Sequence, residues 1–472
     1  MLLWMLTSLF FSPGQPDLAF QLKLDTMITN WSEQNRFSGV FLLLGKGQIL
    51  YEKSFGSADA SWGIANTPDT LFQIGSVSKQ MTSYLALRLK DQGKVDLNSP
   101  IATYLPEFQA SWADKVTLHH LLSHSSGLGH YDAFPDYRES LFPKNYSRAS
   151  YLSLIGDLPL NFEPGTRMDY SSFGYYLAGM VLEKAAGKPL EQLLETEVFQ
   201  PAQLHRSLLD TGQTKEQMAY PYRWDWDAYS YKPAEYRHYN TTFATGGIFA
   251  TARDLARWTQ TVVSGTGLSP ESHKLWLREH FPGSGYGWMF TNRKTATGEA
   301  QVIYHNGAVT GYTCEYMWLP ETDIWLIVLS NNRGYKNRLL PWRIVDLALG
   351  NEVSSKKTLE KVLIDTIHVQ GLEAGLRAYT RLQEDAPDEI DFANWRAMFF
   401  AGLHFLNRHQ FAVAEGVYAL AAEAFPRNAH IQEYLGLAKE EQGKMAEAKT
   451  HFRKAIELDP SKRKHLQPKM EN

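Results

Sequence analysis

The sequence predicts an α+β domain followed by an all-α unit built of helical hairpins. Three observations carry this expectation. Apolar, strand-like runs stand at both ends of the segment 24–350, with a mixed helical middle between them. A polar stretch, "GNEVSSKKT" (350–358), then separates that segment from residues in which strand signals cease. In 358–472 a pattern of small, large and proline residues recurs with a period of 34. At 472 residues the chain is also longer than one ordinary core serves.

Taken in order, the chain opens on "MLLWMLTSLFFSPGQ". Leu2–Phe11 is almost wholly apolar and uncharged, the length of a signal-peptide core and too short to span a bilayer. "SPG" at 12–14 reads as a small-x-small cleavage site, although no basic residues precede the apolar run. Residues 1–20 are thus expected to be a signal segment, with the mature protein periplasmic or secreted. The competing reading is a hydrophobic start packed on the first domain of a cytoplasmic protein.

"FSGVFLLLGKGQILYEKSFG" gives two apolar runs about Gly45-Lys46-Gly47, a β-hairpin signal. "VSKQMTSYLALRLKDQ" (77–92) is amphipathic and rich in helix formers, and "GKVDLNSPI" ends it. From Pro106 to about Ala300, helices alternate with aromatic- and proline-rich loops such as "YPYRWDWDAYSYKP". Strands return at "AQVIYHNGAV", "YTCEYMWLP" and "DIWLIVLSNN", the last two joined at Pro320-Glu321-Thr322. "NRLLPWRIVDLALG" reads as a helix. Strands from both ends are expected to close one antiparallel sheet.

Composition narrows the partners. The formal net charge is −4 and no long basic stripe exists, which argues against nucleic acid. Cys314 is the one cysteine, so no intrachain disulfide can form. His120 and His124 are four apart, as on a helical zinc site, but no glutamate follows His120. Neither a metal nor a cofactor is expected.

In the C-terminal segment Leu435, Gly436, Ala448, Phe452, Ala455 and Pro460 repeat Ala401, Gly402, Ala414, Tyr418, Ala421 and Pro426, 34 residues earlier. Small residues recur where paired helices must approach closely, large ones where they fill the groove, and proline where the second helix ends. This resembles the tetratricopeptide repeat, which implies a surface for a protein partner or a second copy of the chain. "GLEAGLRAYTRL" (371–382) reads as the second helix of a degenerate earlier copy.

The stretch "FQIGSVSKQM" carries the first chemical signal. Ser76 precedes Lys79 by three residues at a helix start, so the two side chains share a face one turn apart. A serine hydroxyl needs a base beside it, and a buried lysine becomes one because desolvation favours the neutral amine. The helix N-terminus favours an oxyanion there. The bland reading is a serine that caps or lines the helix. Two further elements follow in order: "YSS" beginning at Tyr170, and His305-Asn306-Gly307 on a strand, where the glycine admits close approach of a backbone or a substrate.

Ser-x-x-Lys, Tyr-x-Ser and His-x-Gly in this order resemble the serine β-lactamase-fold hydrolases, on the branch of class C β-lactamases, D-Ala-D-Ala carboxypeptidases and esterases. "LLSHSSGL" (121–128) and "GGIFATARDLARW" (246–258) resemble further stretches of that family, and the likeness covers residues 24–350. The resemblance implies that Ser76 is the acylated nucleophile and that Lys79 and Tyr170 share its proton, with the general base left open between them. It implies an oxyanion hole from the N–H groups of Ser76 and Ala308, and substrate contacts at Ser172, His305, Gly307 and Ala308. Ser172 stands where the family usually has asparagine, whose amide donates and accepts over a longer reach. Substrates on this reading are small esters, D-amino-acid peptides or β-lactams. The alternative is a weak or inactive penicillin-binding-like module that recognises cell-wall peptide and works through its repeats.

Overall fold

A computed structural model describes residues 18–471 apart from 135, 226–229, 334–338, 354–355 and 357–358. The apolar stretch 2–11, with the expected signal segment up to residue 17, lies outside the described residues; residues 18–20 open helix α1, Leu18–Asn35. The chain forms two compact units. Among the described residues, one comprises 18–25 and 36–353, the other 26–35 and those beyond 353.

The first unit is built on a six-stranded antiparallel sheet. Its strands are β1 Gly39–Gly45, β2 Gln48–Phe55, β3 Met289–Thr295, β4 Gly298–Val309, β5 Tyr312–Leu319 and β6 Ile324–Ser330. Their order is β3-β4-β5-β6-β1-β2. The two ends of the unit meet where β1 pairs with β6, from Gly39 opposite Ser330 to Gly45 opposite Ile324. β1 and β6 read as unbroken apolar runs because they lie mid-sheet, and Val40–Leu44 is wholly buried.

β3 was not expected. In "MFTNRKT", at the sheet edge, only Phe290 is buried and the remaining positions are half-buried or exposed, so its polar residues hide the strand. The stretch "YPYRWDWDAYSYKP", expected as loop, instead holds a hairpin. Tyr222–Asp225 pairs antiparallel with Ser230–Pro233, and Asn332–Arg333 runs parallel along it. Aromatic and charged residues alternate there with period two, between prolines at 221 and 233.

Helices α2 Ser78–Asp91, α3 Ser172–Ala186 and α4 Ala252–Ser264 supply the rest of the core. Much of the aromatic content is spent here. Tyr84, Trp258, Trp276 and Trp288 form a buried chain with ring centroids 5.3–5.7 Å apart.

The second unit is helical. It contains α5 Leu359–Gln370, α6 Leu372–Asp385, α7 Trp395–Leu406, α8 Phe411–Ala424, α9 Ala429–Glu440 and α10 Met445–Leu458. The hairpin α7–α8 is offset from α9–α10 by 34 residues at each helix start, 395 to 429 and 411 to 445. A Cβ on Gly402 would lie 2.5 Å from the Tyr418 ring, and one on Gly436 equally close to Phe452. The small residues of the pattern are therefore contact points between paired helices. In α6 the close approach is made from the other side, by Gly375 against Ile367 of α5. Among the described residues no helix is long and apolar enough to cross a membrane.

Candidate active site

Ser76 sits in a single 3₁₀ turn, Gly75–Val77, that feeds directly into α2. Before it, Phe72–Gln73 pairs with Phe249–Ala250, and the Ile74 N–H donates to Ile248 O at 2.9 Å. After it, the turn packs on β4 backbone to backbone. Gly75 has φ +55°, and a Cβ there would meet Ala308 N at 2.6 Å. A Cβ on Gly307 would fall 1.9 Å from Ile74 O. Both glycines are needed for the strand to lie against the serine turn. The close approach expected at Gly307 is thus to backbone, not to substrate, and Gly307 is not on the cavity wall.

Lys79 is 0% exposed on the first turn of α2. Its Nζ lies 3.1 Å from Ser76 Oγ and donates to Thr245 O at 2.7 Å. The rings of Tyr170 and Tyr175 face it, with centroids 5.1 and 5.4 Å from Nζ. Burial, and next the charge of Arg237, hold its ammonium well below the usual lysine range. A neutral amine can keep its bond to Thr245 O and still turn a lone pair to the Ser76 hydroxyl.

Tyr170 and Ser172 arrive at the N-terminus of α3. Ser171 is the N-cap: its Oγ accepts from Gly174 N–H at 3.1 Å and donates to Gly129 O at 2.8 Å. Ser172, 3% exposed, lines the cavity beside Ser76 and Tyr170. Two histidines that sequence reasoning did not place at the site hold this segment. Ser171 N–H donates to His124 Nδ1 at 3.1 Å, and Ser172 N–H to His130 Nδ1 at 3.3 Å. Their rings lie 4.3 and 5.6 Å from the Tyr170 ring. His124 pays for the position with a left-handed backbone, φ +58°, which costs about 1–2 kcal/mol outside glycine. Each ring accepts a backbone N–H at Nδ1, an arrangement that suits the neutral imidazole. Burial, then the Lys79 charge, lowers His124 well below the usual imidazole range and His130 to about 4. His120, paired with His124 in the zinc-like spacing, has a separate duty: its Nδ1 accepts from the Thr117 N–H in a capping box.

On β4 the alternation of the strand decides which residues reach the cavity. Asn306 and Ala308 line it. His305 is 2% exposed and lies on the other face, its ring 6.1 Å from that of Tyr170 and its Nδ1 2.7 Å from Asn306 O. Of this pair it is Asn306, and not the expected His305, that lines the cavity. Period-two reading from Ala308 would have found Asn306.

The cavity that collects Ser76, Tyr170, Ser172, Asn306 and Ala308 has a volume of about 230 Å³. It is large enough for a small acyl group and its leaving group.

Similar proteins place this arrangement. The chain is 32% identical to the esterase EstB of Burkholderia gladioli over 193 residues, 38% of this chain and 49% of the relative. It is 27% identical to a teichoic acid D-alanine hydrolase of Staphylococcus aureus over 232 residues, 49% of this chain and 55% of the relative. It thus spans about half the length of each of these two curated relatives. In fold it resembles the octameric penicillin-binding protein homologue from Pyrococcus abyssi, with a TM-score of 0.60 and 24% identity over 70% of this chain and 78% of that one. Residues 24–349, well over half of the chain, match the family described as Beta-lactamase, and the chain belongs to that family.

Proposed function

We propose that the protein is a serine hydrolase that works through an acyl-enzyme on Ser76, with small esters and D-amino-acid amides or peptides as its substrate class. The observation that carries this reading is the Lys79 amine, fully buried and 3.1 Å from Ser76 Oγ. Lys79, alone or through Tyr170, takes the Ser76 proton as Oγ attacks the substrate carbonyl. The N–H groups of Ser76 and Ala308 receive the oxyanion. The same proton passes to the leaving alcohol or amine, and a water then repeats the sequence to free the acyl group. His305, its ring 6.1 Å from that of Tyr170, is assigned a positioning part beside the tyrosine. The relatives named as an esterase and as a D-alanine hydrolase support the substrate class.

A retired binding module is not favoured, because nucleophile and tyrosine line one cavity and the buried Lys79 amine stands 3.1 Å from the nucleophile's Oγ. The helical unit, on this reading, does no chemistry and offers its stacked hairpins to a protein partner or a second copy of the chain. The apolar stretch 2–11 supports action outside the cytoplasmic membrane.

Intact-mass spectrometry after exposure to a fluorophosphonate tests the reading. One adduct is expected on the wild type and none on Ser76→Ala. Tyr170→Phe should lower kcat on a nitrophenyl ester by about 10²- to 10⁴-fold with folding retained. An adduct that persists in Ser76→Ala sinks the assignment.

A further inference from the structure

The cavity beside Ser76 contains an arginine that the reaction just described does not need. Arg237 precedes the one-turn helix Phe243–Gly246 and reaches the cavity wall. Its guanidinium is fixed from two sides. Nε donates to Thr241 Oγ1 at 3.1 Å, and Nη2 donates to Tyr131 OH at 2.9 Å and to Thr241 O at 3.2 Å. The plane also rests on aromatic rings, 3.6 Å from the Phe142 centroid and 4.9 Å from that of Tyr131. What it lacks is an anion. Among the described residues it bonds only neutral oxygens, and Nη1 has no protein acceptor.

The surroundings sharpen the point. None of the described residues lining the cavity is acidic, and a second arginine, Arg138, lines it as well. Asp132 acts on His130 from outside that wall. Arg237 is partly buried and turned to the cavity, with no carboxylate of the described chain paired to it. Here the charge sits close enough to the catalytic amine to depress its basicity, which a purely structural packing role would not require. The guanidinium is already held in place, so an incoming carboxylate would bind it with little loss of side-chain freedom.

We propose that Arg237 is a specificity-determining residue that selects substrates carrying a carboxylate, held by Nη1 and Nη2 while Ser76 attacks. Arg138 adds to the same field from the cavity rim. The proposal rests on the hydrolase reading above and narrows it: among esters and amides of similar size, anionic ones are preferred.

Two pairs of esters test it. One pair places the charge on the acyl part, mono-4-nitrophenyl glutarate against 4-nitrophenyl valerate. The other places it on the leaving group, 3-carboxyphenyl acetate against phenyl acetate. In the wild type kcat/KM is expected to favour the anionic member at least about tenfold in one pair, mainly through KM, and that pair reports which side of the scissile bond faces Arg237. Arg237→Gln should reduce that preference by about 10- to 100-fold, and Arg237→Lys should restore part of it. Any effect of the variant on Lys79 acts on both members of a pair and cancels in the ratio. Wild-type turnover with no carboxylate preference in either pair overturns this proposal alone, without reference to any variant. A preference that Arg237→Gln leaves within threefold overturns it too. Absence of turnover and of Ser76 acylation overturns the hydrolase reading, and this proposal with it.

Discussion

Two of the buried lysines, Lys79 in the first unit and Lys439 in the second, have opposite fates. Lys79 is 0% exposed and meets a hydroxyl and a backbone carbonyl. Lys439, on α9, is 9% exposed, and its Nζ bonds Glu415 Oε1 and Glu447 Oε2, each at 2.6 Å. Burial pulls both ammonium groups down. At Lys79 the next influence is the like charge of Arg237, and the group falls well below the usual range. At Lys439 the two carboxylates outweigh burial and the group rises above it. Burial alone therefore does not make a base. The site withholds anions from Lys79, which on the proposed mechanism leaves it free to serve as the nucleophile's base, while the helical unit supplies them to Lys439 and holds it as a structural cation.

The largest expected effect comes from removing the uncompensated amine. Lys79→Met should lower kcat by about 10²- to 10⁴-fold. Its melting temperature should stay level or rise, because an apolar side chain of similar length replaces a desolvated amine. Loss of the donor to Thr245 O offsets part of that gain. A fall of more than about 5 °C in thermal unfolding would show that the folded state is stabilised by a charged Lys79, and the contrast with Lys439 would break.

The two lysines also separate by pH. Between the depressed folded pKa of Lys79 and its unfolded value near 10.5, the unfolded chain holds a proton that the folded one lacks. Lys79 therefore makes stability rise with pH across that window, and kcat/KM rises as pH passes the lower limit. Arg237→Gln removes a like charge, so the acid limb of kcat/KM for a neutral ester should move to higher pH. An unmoved limb would detach Arg237 from Lys79. Glu415 acts in the same sense but in a lower window, since its folded pKa is also depressed and stability rises with pH across it. Burial raises it, but bonds from Lys439, Lys444 and Gln442 outweigh that and bring it to about 2. Its contribution is complete above the ordinary carboxylate range and is lost as pH falls toward 2. Circular dichroism of the helical signal on acidification should report that loss.

Lys439→Met sharpens the contrast at smaller cost. Glu415 keeps Lys444 Nζ and Gln442 Nε2, at 2.6 and 2.8 Å. The expected loss is about 1 kcal/mol in denaturant unfolding, with ester turnover unchanged. A loss of turnover would mean that the helical unit takes part in the reaction.

The sequence made these features legible to different degrees. β1 and β6 announced themselves because mid-sheet strands are apolar on both faces, β4 and β5 by their apolar runs, and Ser76 with Lys79 because one helical turn joins them. β3 and the hairpin at 222–233 did not, since edge strands carry half their residues as polar ones. The site residues that escaped, His130 and Arg237, sit in irregular segments where no period reports which way a side chain points. His305 was placed on the correct strand, but alternation puts its neighbour Asn306 on the cavity wall while His305 itself is buried off it. That Lys79 is buried could be posed from the sequence only as a condition, because burial depends on α3 and on Thr245, far away in the chain.

The smallest expected effect concerns Ser172, and it asks whether a polar neighbour, with the base left intact, tunes what the site accepts. Ser172 is the first residue of α3, with its backbone N–H on His130 and its side chain at the cavity wall. The short hydroxyl leaves the acyl-amide of a β-lactam without the donor and acceptor that an asparagine amide supplies at longer reach. Ester cleavage, which needs no such contact, should exceed β-lactam turnover in the wild type. Ser172→Asn should raise the ratio of cephalosporin to ester kcat/KM by about three- to tenfold, the worth of one modest hydrogen bond. The acid limb set by Lys79 should stay where it is, since the substitution adds no charge. If the ratio does not move, residue 172 is not what limits β-lactam use. If the acid limb moves with it, the asparagine has reached the Ser76–Lys79 pair, and substrate choice and base strength are not separable at this site.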